Sequence, residues 1–414
     1  MKKVYIMLEN SIIGMGGGQM YTKNKIVYMQ KKGYDTAVYS GHTGEIVIPE
    51  LKEYQQNIMP EFLSAPLVYR KSTINRITKF MTELYSGYEE VIFESGIAHM
   101  AMWGEIFAEA LNAKHMVHLL DERNDMLIPN DYLGFYKFKH ERKELSGITS
   151  ESLKMLFRYA QFIQDENSYW LPSVCQNVVS DSEEFLDFKL PRSDYSLCTI
   201  GRLDKPYVSE AAKAYVNIAK KYSDLMFNCV FIGGSEYNQE QKIRDIFAQL
   251  NNVSLIITGY MYPIPRNFLE KMDLFVSSAG SAGVSYEINK VTISIDGEDL
   301  HAIGVLGYTT QKSLYRDKEP LKKIDTLIDE VLFSDYLSSY QYTEKASKPD
   351  MKAFDKHIVF LNESNKSAHY YSIFSLKLSN KERFKKLIAS VVGDTKYTKL
   401  IVHRFANMKG GRKQ

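Results

Sequence analysis

The chain has little cysteine and little tryptophan, three and two residues in 414. Cys175, Cys198 and Cys229 are odd in number, far apart and in no CxxC pair. That excludes a disulfide framework and the common thiolate metal sites, and it implies a reducing compartment, the cytoplasm. Long hydrophobic runs are missing as well. The opening "MKKVYIMLEN" offers about five apolar residues before Glu9, too few for a signal peptide's apolar region. No stretch approaches the ~18 residues of a membrane span. An excess of one charge is also absent, since 52 Lys+Arg against 50 Asp+Glu leave +2. A nucleic-acid-binding domain is normally strongly basic, so no nucleic-acid partner is expected. Asp-x-Asp, a metal-holding pattern, is absent too, in agreement with an expectation of no metal and no cofactor.

What is present is alternation. "KVYIML" (3–8) reads as a buried strand, "NSIIGMGGGQ" (10–19) as a glycine loop, and 20–33 as a helix ending at Gly33. "DTAVYSG" (35–41) is the next strand, which completes a βαβ unit and hence a parallel sheet. Strand 89–95, helix 99–112, strand 114–122 and helix 151–166 repeat the pattern. A second series starts at 195: strands 195–203, 226–234, 253–260 and 291–296 alternate with helices 208–222, 240–250 and 264–272. "DLFVSSAGSAG" (273–283) reads as a strand entering a small-residue loop. At this length two domains are expected. The boundaries read as 1–175, a linker at 176–194, 195–375, and a basic C-terminal stretch at 376–414. The fold class is α/β, two doubly wound Rossmann-like domains.

In such sheets ligands gather beyond the carboxyl ends of the strands. Gly16, Gly17 and Gly18 follow the first strand, and Gly201 with Arg202 follow the first strand of the second series. Gly233, Gly259 with Tyr260, and Gly280, Ser281, Ala282 and Gly283 follow later ones. Helix N-termini at these points favour an anion. "GMGGGQ" lacks the third glycine of the dinucleotide fingerprint, and no GKS or GKT follows for a phosphate-loop NTPase.

"GRL" (201–203), "VFIGGS" (230–235), "GGGQ" (16–19) and the run 255–287 ending at Glu287 resemble, in order and spacing, the retaining glycosyltransferases of family 4. The resemblance implies the GT-B architecture, two domains facing a cleft, with a C-terminal helix crossing back to the first. It implies a metal-independent transfer of a sugar from a nucleotide-sugar donor to a glycan or lipid-linked acceptor, in cell-surface or capsular polysaccharide synthesis. Arg202 would hold the diphosphate, for which a guanidinium fork is suited. Lys205 is a displaced partner, because Tyr207 occupies the family's lysine offset. Glu287 would accept the ribose hydroxyls, and Gly259 and Tyr260 would lie beside the base.

The family's first Glu falls at Ala279, which forfeits a charged hydrogen bond to the sugar worth roughly 1.5–3 kcal/mol. Three readings follow: a donor with different hydroxyls, substitution by Ser278 or Ser281, or a silent subunit that binds nucleotide-sugar for a partner transferase. We favour altered donor recognition. A sugar-nucleotide epimerase ranks behind both. In the first domain His118, Asp121 and His99 are alternatives for a group near the donor. The basic, aromatic stretches 67–80 and 133–143 are candidates for contact with anionic membrane at its inner face. No motif selects the base, the sugar or a stoichiometry.

Overall fold

In the computed structural model the described residues are 2–121, 124, 128–158, 170–175, 177–181, 189–235, 239–343, 350–364 and 369–409. The chain divides into two compact units. The first comprises Met1–Ile13, Tyr21–Val174 and Pro349–Asn407, the second Gly14–Met20, Cys175–Lys348 and Met408–Gln414.

The first unit is built on five strands, β1 (Lys3–Glu9), β2 (Asp35–Ser40), β3 (Glu90–Ser95), β4 (Lys114–Leu119) and β5 (Leu145–Gly147). Their order is β2-β1-β3-β4-β5, all parallel. Strands covered on both faces need continuous apolar runs, and Val4 through Leu8 are almost wholly buried. The order reverses between β1 and β3, which makes their carboxyl ends a topological switch point. Helix Ala98–Leu111 is buried from Met100 to Ala108, which explains its apolar sequence "MAMWGEIFA".

The C-terminal part joins this unit well before residue 376. Phe354 meets the rings of Tyr21 and Tyr28, and Phe360, Ile373 and Tyr397 are buried. The described residues from 350 to 375, read from sequence as second-domain, therefore pack with the first unit. Past them lie two helices, Asn380–Val392 and Asp394–Lys409, broken at Gly393, whose φ of 83° is readily reached only by glycine.

In the second unit, Val179–Ser180 (β6) pairs with Ile264–Pro265 (β10). The main sheet holds β7 (Tyr195–Ile200), β8 (Phe227–Ile232), β9 (Val253–Ile257), β11 (Leu274–Ser277), β12 (Thr292–Ile295) and β13 (Ala302–Val305). The order β13-β12-β11-β7-β8-β9 is parallel except for β13. Read from the other edge it is the doubly wound Rossmann order, with its switch point between β7 and β11. Among the described residues no helix is long and apolar enough to cross a membrane.

Candidate functional site

At the second unit's switch point, β7 and β11 pair at only two positions, Leu197 with Leu274 and Cys198 with Phe275. Beyond them the Ile200 N–H donates to Ser277 Oγ at 3.0 Å, a side chain standing in for the ladder. Gly201 and Arg202 follow β7 there. The Gly201 N–H donates to Ile232 O and the Leu203 N–H to Gly234 O, both at 3.0 Å, which ties this turn to the end of β8. A Cβ on Gly233 would fall 2.0 Å from Gly201 O, and one on Gly201 would fall 1.9 Å from Tyr207 Oη. A backbone carbonyl and a side-chain hydroxyl this close explain the glycines without a ligand. Gly234 meets the Tyr260 ring in the same way, and Gly233 bridges Gly259, whose φ is 71°. Gly201, Arg202, Gly233, Gly259 and Tyr260 thus share one carboxyl edge, as expected from sequence.

Arg202 is part-buried, and its Nη2 donates to Asp204 Oδ2 at 3.1 Å. Its Nε and Asp204 Oδ1 are buried without hydrogen-bond partners. A buried guanidinium N–H left unpaired costs free energy, so an acceptor brought to this point is favoured. Tyr207, at the family's lysine position, donates to Ile200 O at 3.0 Å, and its hydroxyl also meets the Ser281 side chain. Burial pushes this phenol up to about 12, against the pull of Ser281 and Arg202, so it is a neutral donor at ordinary pH. Lys205 is exposed and begins helix Pro206–Lys221.

The "AGSAG" stretch is not a loop. It is the start of helix Ala279–Glu287, entered from Ser278, whose Oγ donates to Ile295 O. Ala279 has φ 52°, a left-handed conformation uncommon for a residue with a Cβ and costly in strain. Ala282 and Gly283 are buried, so their small size serves close packing of the helix on the sheet. Exposed Gly280 and half-buried Ser281 occupy the first turn, where backbone N–H groups have no intrahelical acceptor. Glu287 is exposed at the opposite end, about 12 Å of helix rise further on. Beside that end, Lys290 Nζ donates to Glu270 O and to Met272 O, where the chain enters β11. Ser281 meets Tyr207 of the Arg202 turn; Glu287 closes the same helix at its other end.

In the first unit His118 is a core residue. Its Nδ1 pairs with Ser146 Oγ at 2.9 Å and its Nε2 with Ser173 Oγ at 2.8 Å, and burial lowers it to about 4. With both nitrogens engaged it is not poised to meet a donor. Asp121 is exposed just past β4. His99 opens helix Ala98–Leu111; burial, with Lys385, His42 and Lys381, lowers it to about 3. Gly16, Gly17 and Gly18 group with the second unit, and Gly17 and Gly18 begin helix Gly17–Lys31. The basic stretch 133–143 turns much of its charge inward. Lys139 is buried between Glu105 (2.9 Å) and Glu144 (2.6 Å), and Arg142 pairs with Glu144. Phe135 and Tyr136 are wholly buried, so this stretch is packing rather than a membrane face. In 67–80, Arg76 is exposed and pairs with Glu61, while Lys79 pairs with Glu83.

Sequence reading missed a buried polar cluster under the first unit's switch point. Glu94 on β3 accepts from the hydroxyls of Tyr5 and Tyr21 and lies 3.4 Å from Lys25 Nζ, which meets His357 Nδ1 at 2.8 Å. Burial brings Lys25 down to about 8. It also works against ionisation of Glu94, but Lys25, His118 and the Tyr21 and Tyr5 hydroxyls together outweigh it and hold this carboxyl below its usual range. Glu9, which closes β1, is pushed up to about 8 by burial and then by Glu94, with Thr22 opposing. An acidic residue at or next to the end of each of two apolar strands was the available signal, without the adjacency of the strands. Among the described residues no group of His, Cys, Asp or Glu is arranged to hold a metal ion.

No protein-family model matches the sequence, and no curated protein matches it either. The fold is similar to the crystal structure of a glycosyltransferase from Rickettsia africae ESF-5. The TM-score is 0.57, with 14% identity over 89% of this chain and 95% of that one. The chain has the fold of that glycosyltransferase. It is an α/β protein of two Rossmann-like units, the GT-B class. Weaker likenesses are to the pneumococcal O-GlcNAc transferase GtfA, in complex with UDP and GlcNAc (TM-score 0.47, 10% identity, 98% and 99% of the two chains). Another is to the UDP-GlcNAc 2-epimerase from Neisseria meningitidis bound to UDP-GlcNAc (0.38, 12%, 94% and 99%).

Proposed function

We propose that the chain is a glycosyltransferase that moves a sugar from a nucleotide-sugar to a glycan or lipid-linked acceptor, with retention and without a metal. The observation that carries this reading is the second unit's switch point. There Arg202, with its buried unpartnered Nε, stands by Tyr207, whose hydroxyl meets Ser281 in the first turn of helix Ala279–Glu287. Breaking a sugar–phosphate bond leaves charge on a departing diphosphate. A fixed guanidinium and helix N–H groups are suited to receive that charge without reorganising. The same donors leave no evident base, which fits a retaining reaction in which the leaving phosphate takes the acceptor's proton. The fold shared with a glycosyltransferase agrees with this reading. Production of a cell-surface or capsular polysaccharide is the setting we favour.

The carboxylate missing at Ala279 implies a donor recognised through fewer charged contacts, such as a deoxy sugar. The position bears on catalysis as well as choice of donor. Glu287 is assigned the ribose only if a bound nucleoside runs along its helix.

The test is thermal-shift screening against UDP, GDP, dTDP and their sugars, followed by product analysis with the stabilising donor. A ligand that binds only the folded protein raises its melting point. Arg202→Ala is expected to abolish the shift and to lower turnover by about 10²–10³ with folding intact. Turnover at the unsubstituted rate would remove Arg202 from the mechanism. Binding without transfer or hydrolysis of any donor would leave a silent binding subunit, and conversion of donor alone to its epimer an epimerase.

A further inference from the structure

Helix Asn380–Val392 has two apolar faces, and only one of them is used. Ala389 is buried, and Ile388 and Val392 pack against the first unit's core. On the other side Phe384, Leu387 and Val391 are 64%, 61% and 78% exposed. At 100° per residue, positions i, i+3 and i+7 form one narrow stripe. Phe374, just before this helix, and Leu400, on the next, are 52% and 53% exposed. Single exposed apolar residues need no explanation, but an ordered row of them on one helix does.

Cations flank the stripe. Lys381, Arg383 and Lys386 are exposed on the same helix, and Lys396, Lys399 and Arg404 on the next. From Lys377 to the end, the sequence has eleven Lys and Arg against two acids, Glu382 and Asp394, in a chain whose total is only +2. Positive charge is therefore concentrated here, and the rest of the chain is net negative.

We propose that this stripe docks on a bilayer surface bearing anionic phospholipid headgroups, with helix Asn380–Val392 lying in the interface plane. The apolar row would enter the headgroup boundary while the flanking ammonium and guanidinium groups meet lipid phosphate. A second copy of this chain fits the face less well, because pairing the stripes would bring two strongly positive segments together. The stretch 133–143 cannot serve the same purpose, since Lys139 and Arg142 are already neutralised inside the fold.

The experiment is co-sedimentation of the full chain with vesicles of phosphatidylglycerol and phosphatidylcholine in equal parts, and with phosphatidylcholine alone. The protein is expected to sediment with the anionic vesicles only, and less so at high salt, where the Debye length contracts. Replacing Phe384→Ser, Leu387→Ser and Val391→Ser together should weaken partition about tenfold, with melting temperature retained because these side chains are mostly exposed. Lys381→Glu with Lys386→Glu should do the same at low salt. Equal sedimentation of the serine variant, equal binding to neutral vesicles, or no binding at all would overturn the proposal. So would a dimer in ultracentrifugation that the serine variant splits while neither protein binds vesicles. Vesicle binding requires neither donor nor acceptor, so a negative result leaves the sugar-transfer reading standing.

Discussion

Glu9 shows how one carboxyl can work against its own fold. It closes β1 half-buried, and burial with the nearby Glu94 charge pushes it up to about 8. In the unfolded chain it titrates near 4.5. Between these values the folded protein binds the extra proton, so stability falls as pH rises from about 4.5 to about 8. Glu9→Gln should remove that slope, leaving the variant more heat-stable than the parent at pH 8 and little different near pH 4. Melting temperatures of both proteins across this range check it; parallel curves would mean that Glu9 is ionised in the fold. His118 acts in the opposite sense. Its folded value near 4 lies below the unfolded 6.5, so its share of stability is present above pH 6.5 and is lost as pH falls toward 4.

Asp204 poses a different question at the same scale. Its carboxylate lies 3.1 Å from Arg202 Nη2, so it competes with any anion for the guanidinium. Asp204→Asn keeps the shape and removes the charge. At an effective dielectric suited to a part-buried site, this should tighten nucleoside-diphosphate binding several-fold. Titration calorimetry measures it, and unchanged or weaker binding would show that Asp204 positions Arg202 rather than opposing the ligand.

At the scale of elements, glycines that look equivalent in sequence play different parts. Gly233 and Gly259 both follow strands, yet a Cβ at Gly233 would lie 2.0 Å from a backbone oxygen while one at Gly259 would meet nothing within 4 Å. Gly259→Ala should cost about 1–2 kcal/mol, the left-handed backbone penalty alone. Gly233→Ala should exceed it clearly, because the Gly201 carbonyl cannot step aside without breaking its turn. Urea unfolding of the two variants decides the order. The alternation of strands and helices was legible, because buried parallel strands are written as unbroken apolar runs such as "VYIML" and "CVFI". The Arg202 turn was legible too, through the strand-end rule.

What the sequence hid has physical causes. "AGSAG" composes a loop as readily as a tightly packed helix start, and only the neighbouring β12 distinguishes them. His118 has the same one-letter appearance whether its partners are Ser146 and Ser173 or a ligand. The pairing of Lys139 with Glu105 spans 34 positions, so charge counted along 133–143 read as surface when it is core. Glu9 and Glu94 come together only through the adjacency of β1 and β3, which no local pattern announces.

At the scale of the whole molecule, each unit carries its own core. Phe93, Trp103, Phe135 and Tyr397 belong to one, and Leu197, Tyr215, Phe231 and Val276 to the other. Each unit is assembled from three separated stretches of chain, the second mostly from Cys175–Lys348. Separate cores permit separate unfolding transitions, and a single two-state description need not hold. The proposed diphosphate site lies wholly on the second unit. A nucleotide bound at about a hundredfold its dissociation constant should add about 2.7 kcal/mol to that unit's unfolding and little to the other's. In scanning calorimetry of the full chain, one transition should therefore climb with nucleotide concentration while the other holds. Arg202→Ala should return the moving transition to its unliganded temperature, whereas Glu9→Gln should shift only the stationary one. If nucleotide moved the transition that Glu9→Gln marks, the anion would be held by the first unit, and the site built on Arg202 would be the wrong one.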